Sequence, residues 1–361
     1  MRTSVHHLVA ALAAGVMIMS LAACGQERGA GTDGFTVGLL LPGRGVPRWE
    51  QSDKPLIEKQ LRRLCPRCTM AYANANDDPA TQRQQMISMI TKGVRVLILD
   101  AADTKAIRSS IQEAKKAGVP VVAYDRLAEG PISGYVSFDG DQVGRLQGKA
   151  LLEAMGDHTK TGDAVVMLNG DPTSANAQSF KRGALSVIAG KVKIGRSYDI
   201  PGWSTDSAHA NMTAAIAALG PDRIRGVLAA NDALAEGAAS ALRNAGVRQL
   251  PPITGQDADL AAVQRIVRGE QYMTVYKPFR AEAAAAAAMA IALGRGTDIG
   301  AIATTTTDSA TVKGIPTVLL TPRAVTVDRI KKTLVKDGVY TVGQICVSRL
   351  RPACARVGLD R

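Results

Sequence analysis

The chain has 361 residues, 46% of them hydrophobic, with a mean hydropathy of +0.02. That is enough apolar material for about two buried cores and excludes a disordered chain. The formal charge is +12, yet Lys and Arg are scattered, with no dense basic block and no interleaved aromatics, so nucleic acid is not the expected partner.

Residues 1–23 read as an export signal. Arg2 supplies a positive start, and the apolar run 8–21 is too short to span a membrane comfortably. It ends in Leu21-Ala22-Ala23-Cys24. Small residues before a cysteine at this place resemble a bacterial lipobox, with Cys24 lipidated as the mature N-terminus and residues 24–34 a flexible tether. Loss of Arg2 leaves a charge of +11. The expected location is extracytoplasmic, on the outer face of the cell membrane.

Residues 35–41 (FTVGLLL) form the short apolar run of a buried parallel strand. The loop PGRGVPRW leads to a helix at about 50–64, and a strand follows at 69–73. Asp77, Asp78 and Pro79 open the next helix. Strands at 94–99 and 119–124 flank a helix at 104–117, and 135–138 is a further strand. Strands alternating with helices of about 12 residues predict βαβ units and a parallel sheet.

The same grammar continues through a helix at 141–155, a strand at 164–168, a helix at 176–188 and a strand at 192–198. A helix then runs to Leu219, followed by a strand at 226–229, a helix at 233–245 and a strand reaching Thr254. KGVRVLILD…KKAGVPVVAYD in the first half is echoed by RIRGVLAAND…RNAGVRQLPPITGQD in the second. This repeat suggests two lobes of one build with polar strand tips facing a cleft. An Ala-rich helix at 279–293, a polar loop or edge strand at 303–314, a strand at 316–320 and a helix at 327–337 complete the chain.

Four cysteines remain beyond Cys24. Local bridges Cys65–Cys68 and Cys346–Cys354 suit an oxidising exterior, although spacing alone does not fix connectivity. A redox Cys-Pro-Arg-Cys pair would open a helix after a buried strand; here it follows a helix. A zinc site lacks supporting His, so no metal is expected.

The densest chemistry lies in 255–278, GQDADLAAVQRIVRGEQYMTVYKP. Asp257 stands at one strand tip and Lys277 at the next, with a helix at 258–267 between them. Ligands of open α/β sheets bind beyond the carboxyl ends of strands.

PRW at 47–49, AYDR at 123–126, FDGDQVGRLQGKAL at 138–151, AAND at 229–232, GQDADLA at 255–261 and MTVYKP at 273–278 together resemble the bacterial D-xylose-binding proteins. These are substrate-binding components of sugar ABC transporters in the periplasmic sugar-binding family. The resemblance implies the periplasmic binding protein type I fold: α/β, two Rossmann-like lobes with parallel sheets joined by a three-segment hinge. The implied lobes are 35–138 with 278–309, and 139–277 with 310–340; 341–361 is left as a cysteine-containing tail.

It also implies a monosaccharide ligand, D-xylose or a related sugar, delivered to an ABC permease and its ATPase by a monomer that needs no cofactor and catalyses nothing. Trp203 would lie on the apolar face of the sugar ring, and Trp49 on the opposite face or as a helix cap. Asp125 and Asp257 would accept from hydroxyls, Arg48, Arg126 and Lys277 would donate, and Asn231 would do both. Asn176 and Lys181 complete the set, Lys181 standing where the family carries Arg. The loop Pro42-Gly43-Arg44-Gly45 also departs from the family, which has acids there. A sugar-sensing module for a membrane receptor or sensor kinase is the alternative.

Overall fold

The structure, a computed structural model, describes residues 34–156 and 163–360. The signal segment, Cys24 and the tether up to Asp33 lie outside the described residues.

The first part of the chain forms β1 (Thr36–Leu41), α1 (Lys54–Leu64), β2 (Thr69–Asn74), α2 (Pro79–Thr91), β3 (Val96–Leu99), α3 (Arg108–Lys116), β4 (Val121–Tyr124) and β5 (Gly134–Phe138). The second comprises α4 (Gly140–Met155), β6 (Ala164–Asn169), α5 (Ala175–Ile188), β7 (Ile194–Asp199), α6 (Thr205–Leu219), β8 (Ile224–Ala229), α7 (Asp232–Asn244), α8 (Leu260–Arg268) and β9 (Met273–Tyr276). Then come α9 (Phe279–Gly294), β10 (Thr305–Thr307), β11 (Ile315–Leu320) and β12 (Arg323–Thr326).

Local chemistry starts these helices. Asp78 accepts from the amides of Ala80 and Thr81 with Pro79 at the first helical position of α2. Asp139 caps α4 through Gln142 N, and Ser204 caps α6 through Ser207 N. Every residue of β3 and β4 is buried, as expected of parallel strands covered on both faces.

One sheet has the order β10-β11-β5-β4-β3-β1-β2, parallel except for the edge pair β10–β11. The second is built around β7-β6-β8, with β9 and β12 paired antiparallel beside it. The chain passes from the first sheet to the second after β5, returns after β9, and leaves again between β11 and β12.

Three expectations are corrected. The segment 310–320 was expected in the second lobe, but β11 pairs in parallel with β5 of the first sheet, Thr317 opposite Tyr135. An apolar run reads alike whichever sheet takes it, so the last crossing falls at Thr321-Pro322. No regular strand reaches Thr254. Pro251 and Pro252 lack amide donors, and 252–257 is instead an irregular ribbon. Thr254 N donates to Val227 O (3.0 Å) on one side, and Val275 N to Gly255 O (3.0 Å) on the other. The helix expected at 327–337 is two short turns, Val327–Arg329 and Lys331–Val335, a stretch whose β-branched Val and Thr are weak helix formers.

Both expected disulfides are formed. The tail packs on α8: Ile345, Leu350, Cys354 and Leu359 are buried with Val263, Ile266 and Val267.

Two glycines bring α4 and α5 backbone to backbone. A Cβ on Gly144 would stand 2.0 Å from Phe180 O, and one on Gly183 2.1 Å from Asp141 O. This contact fixes the face of α5 that reaches the cleft.

Candidate ligand-binding site

The loops at the carboxyl ends of both sheets converge on one cavity. The first lobe contributes Val46, Arg48 and Trp49 from the β1–α1 loop, and Asp125 and Arg126 from the tip of β4. The second contributes Asn176 and Phe180 from α5, Trp203 from the loop before α6, Asn231 from the tip of β8, Gln256 and Asp257 from the irregular ribbon, and Lys277 from the end of β9. Asp125, Trp203 and Asp257 have left-handed backbones, with φ of 57°, 54° and 97°. Such conformations are costly for non-glycine residues and cluster where surrounding structure holds side chains for a task.

Arg48 is the hub. Its guanidinium lies between the rings of Trp49 (4.2 Å) and Phe279 (4.0 Å). It donates to Asp53 (2.8 and 2.9 Å), Asp125 (2.9 Å) and Glu282 (3.0 Å). Tyr124 also donates to Asp53. Burial works against the Arg48 charge, but Asp125 and Asp53, then Glu282, more than reverse that and raise its pKa. For Asp125, burial raises the pKa, while Arg48, Lys277 and Arg126 pull it down to about 2. Glu282 goes the other way: burial dominates and Arg48 offsets it only in part.

The lobes touch directly across the cavity. Asn176 Nδ2 donates to Asp125 Oδ2 (2.8 Å), Arg48 and Asp257 stand 3.7 Å apart, and Lys277 Nζ, 3.0 Å from Asp257 of its own lobe, lies 3.5 Å from Asp125. At the rim Thr104 Oγ1 donates to Thr173 O (2.9 Å). The space between them is about 20 Å³, room for about one water molecule. A larger ligand enters only if the lobes separate, and it must then replace these cross-cleft contacts with its own.

Nine of the ten residues picked from sequence line this cavity; Lys181 does not. Its ammonium pairs with Asp199 (3.0 Å) on the surface. Five positions after Asn176 is the wrong face of a helix, whereas Phe180, four positions on, shares the face of Asn176. That spacing was the available signal for Phe180. Val46 and Gln256 were also missed; each lies within two positions of an expected residue. Asn231 does less than expected, because its Oδ1 caps α7 through Leu234 N (3.0 Å). Asp232 is the first residue of α7 and is buried.

Asp232 accepts from Asp259 N (2.9 Å), Thr274 Oγ1 (3.0 Å) and Gln271 Nε2 (2.8 Å). Burial, with a smaller push from Asp257, raises its pKa to about 7 against the pull of Arg265. An unfolded Asp titrates near about 4, so the folded protein holds this proton more tightly. This group therefore subtracts stability as pH rises from about 4 to about 7. Asp232→Asn is expected to shrink the difference in unfolding free energy between pH 5 and pH 8, as read by urea denaturation. An identical difference in the variant would assign the slope to other groups.

Two α/β lobes meeting over a small polar cavity, with the chain crossing between them three times, define a binding protein of the two-lobed type. A family model described as a periplasmic binding protein domain matches residues 37–298, and the chain belongs to that family, with the type I fold. The chain is 34% identical over 315 residues to the D-xylose-binding periplasmic protein of Escherichia coli K12, covering 86% of this chain and 92% of that protein. It is 33% identical over 361 residues to the multiple sugar-binding periplasmic receptor ChvE of Rhizobium radiobacter, covering 95% and 99%. An ABC transporter solute binding protein from Clostridium phytofermentans, solved with bound β-D-glucose, superposes with a TM-score of 0.75 at 30% identity, covering 86% of this chain and 99% of that one. All three relatives are binding proteins by name, and the chain is a binding protein and not an enzyme.

Proposed function

We propose that the protein binds a monosaccharide, D-xylose or a closely related sugar, between its lobes and delivers it to an ABC importer from a lipid anchor on Cys24. The observation that carries this reading is the cavity itself. Charged donors and acceptors alternate around a space flanked by Trp49, Phe180 and Trp203, the mixture that a ring with apolar C–H faces and a polar hydroxyl rim requires. The names of the relatives support the same ligand class. Closure over the sugar follows from tighter contact in the closed state, where hydroxyls stand in for the cross-cleft bonds.

The similarity to a multiple sugar-binding receptor favours a second reading, in which several sugars bind and the protein serves a sensor. Titration calorimetry of the purified protein with D-xylose, D-ribose, D-glucose, D-galactose and L-arabinose tests both. Saturable binding of one sugar supports a dedicated transport protein, and comparable binding of several supports the broader receptor. No heat with any of the five would overturn the sugar assignment.

A further inference from the structure

Gln256 lies between Gly255 and Asp257 on the irregular ribbon, 2% exposed. Its backbone is pinned: Asp232 N donates to Gln256 O (3.0 Å). Its side chain is pinned at one end, with Nε2 donating to Ala230 O at 3.4 Å. A carbonyl oxygen only accepts, so the amide nitrogen must face Ala230 and the amide oxygen must face the other way. Gln256 Oε1 is buried and lacks a donor among the described residues. Its residue lines the cavity.

The other polar groups of the lining are differently placed. Arg48 and Asn176 bond Asp125, Arg126 donates to Ala101 O (3.0 Å), and Lys277 pairs with Asp257. Two neutral, fully buried polar atoms of the lining are left without partners inside the protein: Gln256 Oε1 and Trp203 Nε1. One accepts and the other donates. A buried polar atom left unpaired is costly, so a cavity that keeps one selects a ligand that completes it.

We propose that Gln256 is a specificity-determining residue, its Oε1 accepting the proton of one particular ligand hydroxyl while Trp203 Nε1 donates to a ligand oxygen. The inference rests on the sugar-binding reading and adds to it a neutral contact beside the charged ones. It makes one hydroxyl of the ligand obligatory: an analogue lacking it leaves Gln256 unpaired, and a site built to bond a hydroxyl rejects such an analogue strongly.

The test is a cycle on the full purified chain with the best-bound sugar and its singly deoxygenated analogues, by titration calorimetry. With wild type, one analogue is expected to bind about tenfold or more weakly than the parent. With Gln256→Leu, that same analogue and the parent are expected to bind alike. Gln256→Met, unbranched and similar in length, carries the comparison if thermal melting finds the Leu variant unfolded. Equal weakening of the parent and every analogue by Gln256→Leu would mark a packing role and overturn the proposal, as would unchanged binding. Failure of wild type to bind any sugar is a separate result, which ends the sugar reading itself.

Discussion

Arg48→Met is expected to lower unfolding free energy by about 3–5 kcal/mol, the cost of removing one partner from a buried ion cluster. Arg48 and the three carboxylates it bonds are all buried, and the structure supplies no second cation to Asp53 or Glu282 within ion-pair distance among the described residues. Methionine fills much of the space between Trp49 and Phe279, so the loss reads charge rather than volume. Arg48→Lys keeps the charge but not the planar fork that reaches three carboxylates at once, and should fall between the two. Urea denaturation measures both. An unfolding free energy unchanged in Arg48→Met would mean that the carboxylates are protonated and the cluster is not ionic. Because Arg48 also joins the β1–α1 loop to α9 through Glu282, just beyond the second crossing between lobes, sugar affinity should fall with stability.

Trp203→Ala is expected to weaken sugar binding by about thirtyfold or more, as for a buried aromatic anchor at the centre of an interface. The indole is 5% exposed and meets the ring of Phe180 edge to face at 6.3 Å. Gly202, left-handed at φ 63°, turns the chain ahead of it, and Asp171 Oδ2 accepts from Gly202 N (2.6 Å). The ring lies directly on Gly170: a Cβ there would stand 1.9 Å from Trp203 Cη2. Gly170→Ala must therefore push the indole toward the ligand, and should lower affinity while leaving the Trp in place. Calorimetry on both variants, with thermal melts as the control for folding, makes the comparison. Undiminished affinity in Trp203→Ala would reassign this residue to packing alone.

How much of this was legible beforehand depends on how local each cause is. Asp78-Pro79 starts a helix by bonding amides two or three residues away, so its position could be read directly. The apolar runs at β1, β3 and β4 announced parallel strands because such strands are covered on both faces. Asp125, Asp257 and Lys277 followed from a rule about strand tips that needs only the order of elements. The bridges Cys65–Cys68 and Cys346–Cys354 span three and eight residues, and the chain could reach them without help from the fold.

What failed required a distant partner. Lys181 looked like a ligand residue, but the approach of α4 and α5 at Gly144 and Gly183 turned Phe180 inward and Lys181 out to Asp199. The lobe that takes β11 was decided by the free edge of β5, which no property of Ile315–Leu320 encodes. Asn231 offered two polar atoms on paper, and the turn into α7 took one of them. Gln256 acquires its meaning only from Ala230 O, which accepts from its amide nitrogen while its amide oxygen is left buried without a partner among the described residues. By itself the sequence determined most of the elements, the two-lobe build and the polar strand tips at the cleft, since those follow from periodicity, capping and element order within short stretches; the rest of the ligand set came from the resemblance to a known family. Only the tertiary structure decided which bonds each side chain had already spent inside the protein, because hydrogen-bond capacity is finite and its partners come from residues far away along the chain.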